Sequence, residues 1–495
     1  MFNHGSLNVG SAGGAGAPQV LDRRCFYING EWRPAQEAAT IVVTNPANEG
    51  AYAVVSAGSP ADIDAAVKAA RTAFDDWSRL ALNERVAFIR RIATFYEERI
   101  DEMGAAISNE MGAPISIARN SQAGSGLYHL KAFLTALDDF KFEHLLRPGL
   151  DNQQIVHEPI GVCGLITPWN WPMNQLALKV IPALLTGCTV VLKPSEIAPI
   201  SSMLFAEFVD AAGIPKGVFN LVNGTGATAG AALSGHPDVD MITFTGSTRA
   251  GTAISRAAAG NIKRVSLELG GKSPMLVFAD APLEETVRRC VAQCFDNTGQ
   301  SCNAPTRMLV ERPVYEQAVS IAKKAALAAK VGASDVEGDH LGPVASFAQF
   351  RKIQEMIHVG IEEGARLVAG GPGRPPGFSS GNYVNPTVFA DVDNKMRLAQ
   401  EEIFGPVLCI IPFCTEEEAV LIANDSPFGL AGYVETADAE RAKRVARRLR
   451  TGMVQINGTA KAPASPFGGY KQSGNGREGG TWGLEDFLEV KLISG

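Results

Sequence analysis

The sequence predicts an α/β protein built on a doubly wound parallel sheet. Three observations carry that prediction. From Gly161 onward, short apolar runs alternate with helix-like segments, the pattern of successive β-α-β units. A second alternating region runs from about 273 to 460. The chain has 495 residues, and single cores stop growing near about 250–300 residues, so two or three structural units are expected.

Residues 1–20 are rich in Gly and Ala and hold neither a basic n-region nor a continuous apolar run. They read as a disordered leader, not a signal peptide. An irregular, strand-like stretch follows. Ser59-Pro60-Ala61-Asp62 then supplies a hydroxyl cap, a proline at the first helical position and a carboxylate one turn in. Ile63, Val67, Ala70 and Phe74 recur behind it on one helical face. Asn83 is expected to cap a second helix carrying Val86, Ile89, Ile92 and Phe95.

The first alternating region contributes five strand-like runs: Gly161 to Ile166, Thr189 to Leu192, Val218 to Val222, Met241 to Thr245 and Arg264 to Leu267. Right-handed crossovers put the intervening helices on both faces. Ligands of such sheets sit at the carboxyl ends of the strands. The second region offers strands at Pro274 to Phe278, Arg307 to Glu311 and Val407 to Phe413, and helices at Val314 to Val331 and Phe347 to Glu363. GGPGRPPGFSSG, from Gly370, is a surface loop by composition. Phe487 to Ile493 reads as a terminal strand that needs a partner, another subunit being one candidate.

Composition excludes several classes. A net charge of −7 with well-mixed signs lacks the basic patch of a nucleic-acid binder. The most apolar stretch, Leu176 to Leu192, is broken by Lys179, Pro182 and Gly187, so no membrane span is expected. The eight cysteines form no CxxC and no zinc-like spacing with histidine, so no metal site is expected. Scattered cysteines fit a reducing cytoplasm. Seven of the eight read as small buried hydrophobes.

Four pieces look chemical. Thr167-Pro168-Trp169-Asn170-Trp171-Pro172 forms a stiff loop after the first strand, from which Asn170 can aim its amide at a developing oxyanion. By itself an Asn in such a loop is more often a turn residue. Lys193-Pro194-Ser195-Glu196, Gly224-Thr225-Gly226 with Gly230, and Phe244-Thr245-Gly246-Ser247-Thr248 follow the next three strands. Glycines there let a backbone approach a pyrophosphate. The GxGxxxG spacing is one residue longer than the dinucleotide fingerprint, and the weight lies in three such loops in succession. Glu268 ends the fifth strand, where a solvated glutamate is the ordinary alternative. Cys302 lies in Asn297-Thr298-Gly299-Gln300-Ser301-Cys302-Asn303, a polar setting in which a partly accessible thiol can have a depressed pKa.

Together these pieces resemble the NAD(P)-dependent aldehyde dehydrogenase superfamily of the hydrolytic, non-acylating type. The motifs are PWN, KPSE, FTGST, ELGGKSP, GQSC, EEIFGPV and SPFGGYKQSGNGRE, in family order from about Phe26 to the C-terminus. The resemblance implies that Cys302 attacks an aldehyde as a thiolate and that Asn170 and the Cys302 backbone N–H hold the oxyanion. It implies that hydride passes to nicotinamide and that Glu268 activates the water that hydrolyses the thioester. Lys193 and Glu196 are placed at the adenosine ribose. A 2′-phosphate there would meet the Glu196 carboxylate, so NAD is expected over NADP. Ser247 faces the pyrophosphate, Glu402 the nicotinamide ribose, and Phe404 packs beside it. Trp169 and Gly226 line the groove. Ile166, Ser195, Gly230, Thr245, Gly246, Leu269 and Gly270 complete the cofactor set.

The family fold implies a Rossmann-like NAD-binding domain (21–140 and 159–270), an α/β catalytic domain (271–470) and a small β oligomerisation extension (141–158 and 471–495). Homodimers or homotetramers are the family habit. The aldehyde tunnel is expected from Asn174, Leu178, Ser301, Asn303 and Lys461, a set more polar than a fatty aldehyde calls for. Lys461 facing inward would favour a semialdehyde with a carboxylate, against the commoner reading of a solvated surface lysine. The nearest alternative lies in the same superfamily, a non-catalytic scaffold on this fold is of another class, and a thiol-based esterase would not need the cofactor loops. An acylating, CoA-dependent enzyme generally lacks the water-activating carboxylate, and Glu268 speaks against it. A non-catalytic scaffold has no need of Cys302, Glu268 and Asn170 together.

Overall fold

The computed structural model describes residues 20–495; the leader expected over residues 1–20 lies, but for Val20, outside them. Five strands form the parallel core of a seven-stranded sheet: Val162–Ile166, Thr189–Lys193, Phe219–Leu221, Met241–Gly246 and Arg264–Leu269. In chain order they lie as 3-2-1-4-5. The direction of winding therefore reverses between Val162–Ile166 and Met241–Gly246, and the crevice beyond their carboxyl ends is where such a sheet binds ligands. The strands are buried on both faces, which explains why they read as unbroken apolar runs.

This sheet is not parallel throughout. The hairpin Cys25–Ile28 and Glu31–Pro34 closes one edge antiparallel. The second seven-stranded sheet runs Arg366–Ala369, Thr387–Ala390, Val407–Phe413, Arg307–Glu311, Pro274–Val277, Ala431–Glu435 and Met453–Ile456. It too is parallel except at one edge, where Arg366–Ala369 pairs antiparallel. Four residues, Gly270 to Ser273, join the last strand of the first sheet to Pro274–Val277. The carboxyl ends of the first sheet thus feed directly into the amino ends of the second.

The helix at Pro60–Arg79 starts as expected. Ser59 and Asp62 form a reciprocal capping box and Pro60 takes the first turn. The second helix corrects the expectation for Asn83. It begins at Leu82, with Ala81 at the cap two residues before Asn83 and no side-chain bond. The Gly370 segment is irregular up to Gly381. At the C-terminus, Leu488–Ser494 pairs antiparallel with Gln153–Pro159, which also pairs with Glu143–Leu145. The terminal strand is the outer strand of this three-stranded sheet, and Val490 (66%) and Leu492 (55%) are exposed on it. Among the described residues no helix is long and apolar enough to cross a membrane.

The cysteines divide differently from expectation. Five are buried, but Cys414 is exposed and Cys25 only partly covered. Cys414 follows the last residue of Val407–Phe413, and its backbone N–H bonds Glu418 rather than a ladder partner.

Candidate active site

Cys302 lies in the loop between the helix Leu283–Phe295 and the strand Arg307–Glu311, at the amino end of the second sheet. The approach to it is strained. Asn297 (φ 51°), Thr298 (φ 55°) and Gly299 (φ 73°) are three consecutive left-handed residues, a conformation that persists only where neighbours enforce it. Here they do. Thr298 Oγ1 donates to Gly342 O at 3.0 Å, and Asn297 Nδ2 donates to Asn170 O at 2.9 Å. A Cβ on Gly299 would lie 2.1 Å from the backbone of Gly405, so no larger residue fits.

Asn170 is buried, and its side-chain amide donates to Gln300 O at 2.9 Å. An amide carries two N–H donors, so one remains. Gln122 Nε2 donates both to Asn170 O and to Asn297 Oδ1, each at 3.0 Å. Gln300 is held in turn by Ala345 N–H, which donates to its Oε1 at 2.9 Å. Gln122 sits on a π-helical turn, Ala118–Ala123, a distortion frequent at functional sites. The sequence reading missed Gln122, Asn297 and Gln300 as a group. The polar run before Cys302 was a usable signal for the last two, and the sequence carries none for Gln122.

Glu268 lies one residue from the end of Arg264–Leu269 and is buried (3% exposed) rather than solvated. Among the described residues neither carboxylate oxygen has a hydrogen-bond partner. Burial, reinforced by the nearby Glu478 charge, holds its pKa well above the usual carboxylate range. Unsatisfied buried polar groups are rare enough that each calls for an explanation. The connection that follows this strand abuts the nucleophile candidate: a Cβ on Gly271 would lie 2.5 Å from Cys302 O. Behind Glu268, buried Lys179 pairs with Glu478 and donates to Thr245 Oγ1 at 2.6 Å. Both charged residues escaped the sequence reading of function. The signal for Lys179 was a lone charge inside an apolar run.

Cys302 is partly exposed, but its pKa is not depressed. Burial first, then Glu402 and Glu268, push it up to about 12, with Lys461 opposing. This corrects the expectation drawn from the polar sequence around it: the neighbouring charges that reach the sulfur are mostly carboxylates.

Cys302 opens into a cavity of about 1150 Å³. Asn174, Leu178, Ser301, Asn303 and Lys461 all line it, while Asn170 and Glu268 do not. Trp171 Nε1 donates to Ser301 Oγ at 2.9 Å across its wall.

The cofactor candidates collect at the carboxyl ends of the first sheet. Ile166 and Lys193 end their strands, both buried. Lys193 Nζ donates to Glu196 Oε2 at 3.1 Å. Ser195 turns its hydroxyl locally, accepting from Ile197 N–H at 3.3 Å. Gly226 and Gly230 begin and end the turn after Phe219–Leu221. A Cβ on Gly226 would meet nothing within 4 Å, and one on Gly230 only Lys193 Cδ and Thr225 O at 3.8 Å. This open backbone fits the close approach of a phosphate. Thr245 and Gly246 end Met241–Gly246, and Ser247 caps Thr248–Ala258 by accepting from Ala250 N–H. Leu269 is tied to Ser473 O through its N–H at 2.9 Å. Glu402 folds over Gly270 and accepts from Gly271 N–H at 3.0 Å. Trp169 and Phe404 meet edge to face, centroids 5.4 Å apart, with Phe404 itself left-handed (φ 62°). The residues present thus fit a dinucleotide.

A family model described as "Aldehyde dehydrogenase family" matches residues 32–493. A 3-succinoylsemialdehyde-pyridine dehydrogenase of a Pseudomonas species is 50% identical over 477 residues, 96% of this chain and 99% of that protein. The crystal structure of an aldehyde dehydrogenase from Bartonella henselae is 52% identical with a TM-score of 0.95, over 96% of this chain and 100% of that one. A mutant of aldehyde dehydrogenase C from Pseudomonas syringae, solved with NAD+ and octanal, is 49% identical with a TM-score of 0.93, over 95% and 96% of the two chains.

Proposed function

The chain belongs to the aldehyde dehydrogenase family and oxidises aldehydes with NAD, and from that premise we propose that Cys302, Asn170 and Glu268 carry the reaction. The observation that carries this reading is Glu268. It is a buried carboxylate whose oxygens are both unpartnered among the described residues, three residues before Gly271, whose backbone lies against Cys302 O.

In this reading Cys302 passes its thiol proton to solvent, and the small thiolate fraction so formed adds through Sγ to the aldehyde carbonyl. The free N–H of the Asn170 amide and the Cys302 backbone N–H receive the oxyanion. The Gln122–Asn297–Gln300 bonds fix the Asn170 donor before substrate arrives, so its reorganisation cost is small. NAD, when bound, supplies the acceptor for the hydride. What remains on Cys302 is a thioester. Glu268 takes a proton from water, and the hydroxide equivalent displaces the thiolate to give the acid. Lys193 and Glu196 would hold the adenosine ribose, Gly226, Gly230, Gly246 and Ser247 the pyrophosphate, and Glu402 the nicotinamide ribose. Ile166, Trp169, Ser195, Thr245, Leu269, Gly270 and Phe404 would shape the groove. Asn174, Leu178, Ser301, Asn303 and Lys461 would line the aldehyde's path.

The same reading divides the chain into an NAD-binding domain (21–140 and 159–270), a catalytic domain (271–470) and an oligomerisation extension (141–158 and 471–495). The exposed Val490 and Leu492 on an outer strand support pairing into a homodimer or homotetramer. Free cysteines throughout the described residues support a reducing cytoplasm as its location.

The test is NADH formation by absorbance on aliphatic, aromatic, hydroxylated and carboxylated aldehydes, with NAD or NADP and with or without CoA. Turnover with NAD that needs no CoA and vanishes in Cys302→Ala is expected. Glu268→Gln should release about one NADH per site and then slow by roughly 10²–10⁴-fold, the ordinary worth of a general base. A Glu268→Gln enzyme with wild-type steady-state turnover overturns the assignment.

A further inference from the structure

The cavity that holds Cys302 carries a polar cluster with no part in the steps above. Lys461 and His129 both line it. The Lys461 ammonium lies over the Phe467 ring, 4.9 Å from its centroid. Crowding by protein pulls its pKa down, and the one charge that acts to raise it is Cys302; no carboxylate does so. Asp296 and Asp339 also line the cavity, yet neither compensates Lys461. Lys461 is solvent-exposed where it lines the chamber, and among the described residues no carboxylate pairs with it. The aromatic face attracts the ammonium but leaves its charge unpaired.

His129 adds a donor and no charge. Asn174 Nδ2 donates to His129 Nε2 at 3.0 Å, and Asn174 Oδ1 accepts from Gln175 Nε2 at 3.4 Å, which sets the orientation of the amide. Burial first, then Lys461, push the His129 pKa down to about 4, so the ring is neutral at pH 7. Leu178, Trp171, Tyr433 and Phe467 supply apolar wall between these groups. The cluster as a whole offers N–H donors and one positive charge.

A neutral alkyl aldehyde in this chamber offers the Lys461 ammonium no counter-charge. An aldehyde with a carboxylate at its far end brings the missing counter-charge. We propose that the enzyme selects oxo acids, aldehydes bearing a remote carboxylate, and that Lys461 is the residue that reads the carboxylate. The proposal rests on the assignment of Cys302 as the nucleophile, because the chamber is defined from that sulfur.

Lys461 also acts on Cys302 electrostatically, so its removal will change the rate with every aldehyde. That shared effect cancels in a ratio. The experiment compares kcat/KM for 4-oxobutanoate with kcat/KM for pentanal, a neutral aldehyde of similar size, in wild type, Lys461→Met and Lys461→Arg. NAD binding and melting temperature check that each variant is folded. The wild type is expected to favour 4-oxobutanoate. Lys461→Met should lower that preference at least tenfold, mainly through KM of the oxo acid, and Lys461→Arg should keep most of it. A preference unchanged in Lys461→Met overturns the proposal, as does a wild type that oxidises pentanal and not 4-oxobutanoate. Both outcomes leave Cys302 and aldehyde oxidation standing. Failure of the wild type on every aldehyde would instead strike the underlying assignment, and this proposal with it.

Discussion

The side-chain amide of Asn170 donates to the backbone carbonyl of Gln300 at 2.9 Å, so the proposed oxyanion donor is anchored to the loop that carries the proposed nucleophile two residues later. The two groups belong to different sheets, and this bond ties their relative position. Asn170→Ala removes the donor without touching Cys302. It is expected to lower kcat by about 10²–10³-fold, with NAD affinity retained, in steady-state assays on a simple alkanal. A loss under threefold would remove Asn170 from the oxyanion site.

The raised Cys302 pKa makes a second prediction with a definite sign. A thiol held at about 12 by burial and by carboxylates is almost wholly protonated at pH 7. Its thiolate fraction then grows tenfold for each pH unit. The rate of Cys302 alkylation by iodoacetamide, followed by peptide mass spectrometry on the cofactor-free enzyme, should rise in that proportion from pH 7 to pH 10. A plateau below pH 9 would show a thiol activated at rest.

How far this site can be read from sequence follows from what each residue needs. Cys302, Glu268 and Asn170 are legible because their chemistry demands rare side-chain types in short motifs. Gln122 is not, because its bonds run to Asn170 and Asn297 across 48 and 175 residues of chain, and any buried amide looks alike in sequence. Among the strands, Arg307–Glu311 and Val407–Phe413 match their expected bounds, since strands buried on both faces are bounded apolar runs. Thr387–Ala390 and Ala431–Glu435 are as buried, but they sit among glycines and prolines that mask the pattern. The polarity of the loop before Cys302 misleads about its pKa because burial raises it first, and then Glu402 and Glu268, which are distant in sequence.

Cofactor choice is tested at Glu196. Its carboxylate, held by Lys193 at 3.1 Å and partly exposed, occupies the place assigned to the adenosine ribose. A 2′-phosphate would bring a second anion against it. Glu196→Ser removes the like charge and frees Lys193 to meet the phosphate. Use of NADP, as kcat/KM, should improve by about tenfold or more, on the order of 1.4 kcal/mol, while use of NAD falls. Equal effects on both cofactors would place Glu196 away from the ribose.

The last prediction concerns stability and arises from Glu110, fully buried and remote from the chemistry. Its two oxygens accept from Ile200 N–H at 2.6 Å and Ser201 N–H at 3.1 Å. They cap the helix Ile200–Ala211, whose own preceding residue, Pro199, contributes no side-chain cap. These bonds favour the carboxylate, yet burial outweighs them and pushes the pKa up to about 7 from an ordinary 4.5. A raised folded-state pKa means that the folded protein holds this proton more tightly than the unfolded chain does. The resulting stabilisation is complete below the unfolded value and is lost as pH rises through about 7. Glu110→Gln replaces the acid by an amide of similar shape that does not titrate. The wild type should therefore lose stability relative to Glu110→Gln between pH 4.5 and pH 8, by roughly 3 kcal/mol. Urea unfolding of both proteins across that range measures the difference, from which all other titrating groups cancel. A gap that stays constant with pH would mean that Glu110 is ionised in the folded protein throughout, with its two helix N–H bonds sufficient to hold the charge.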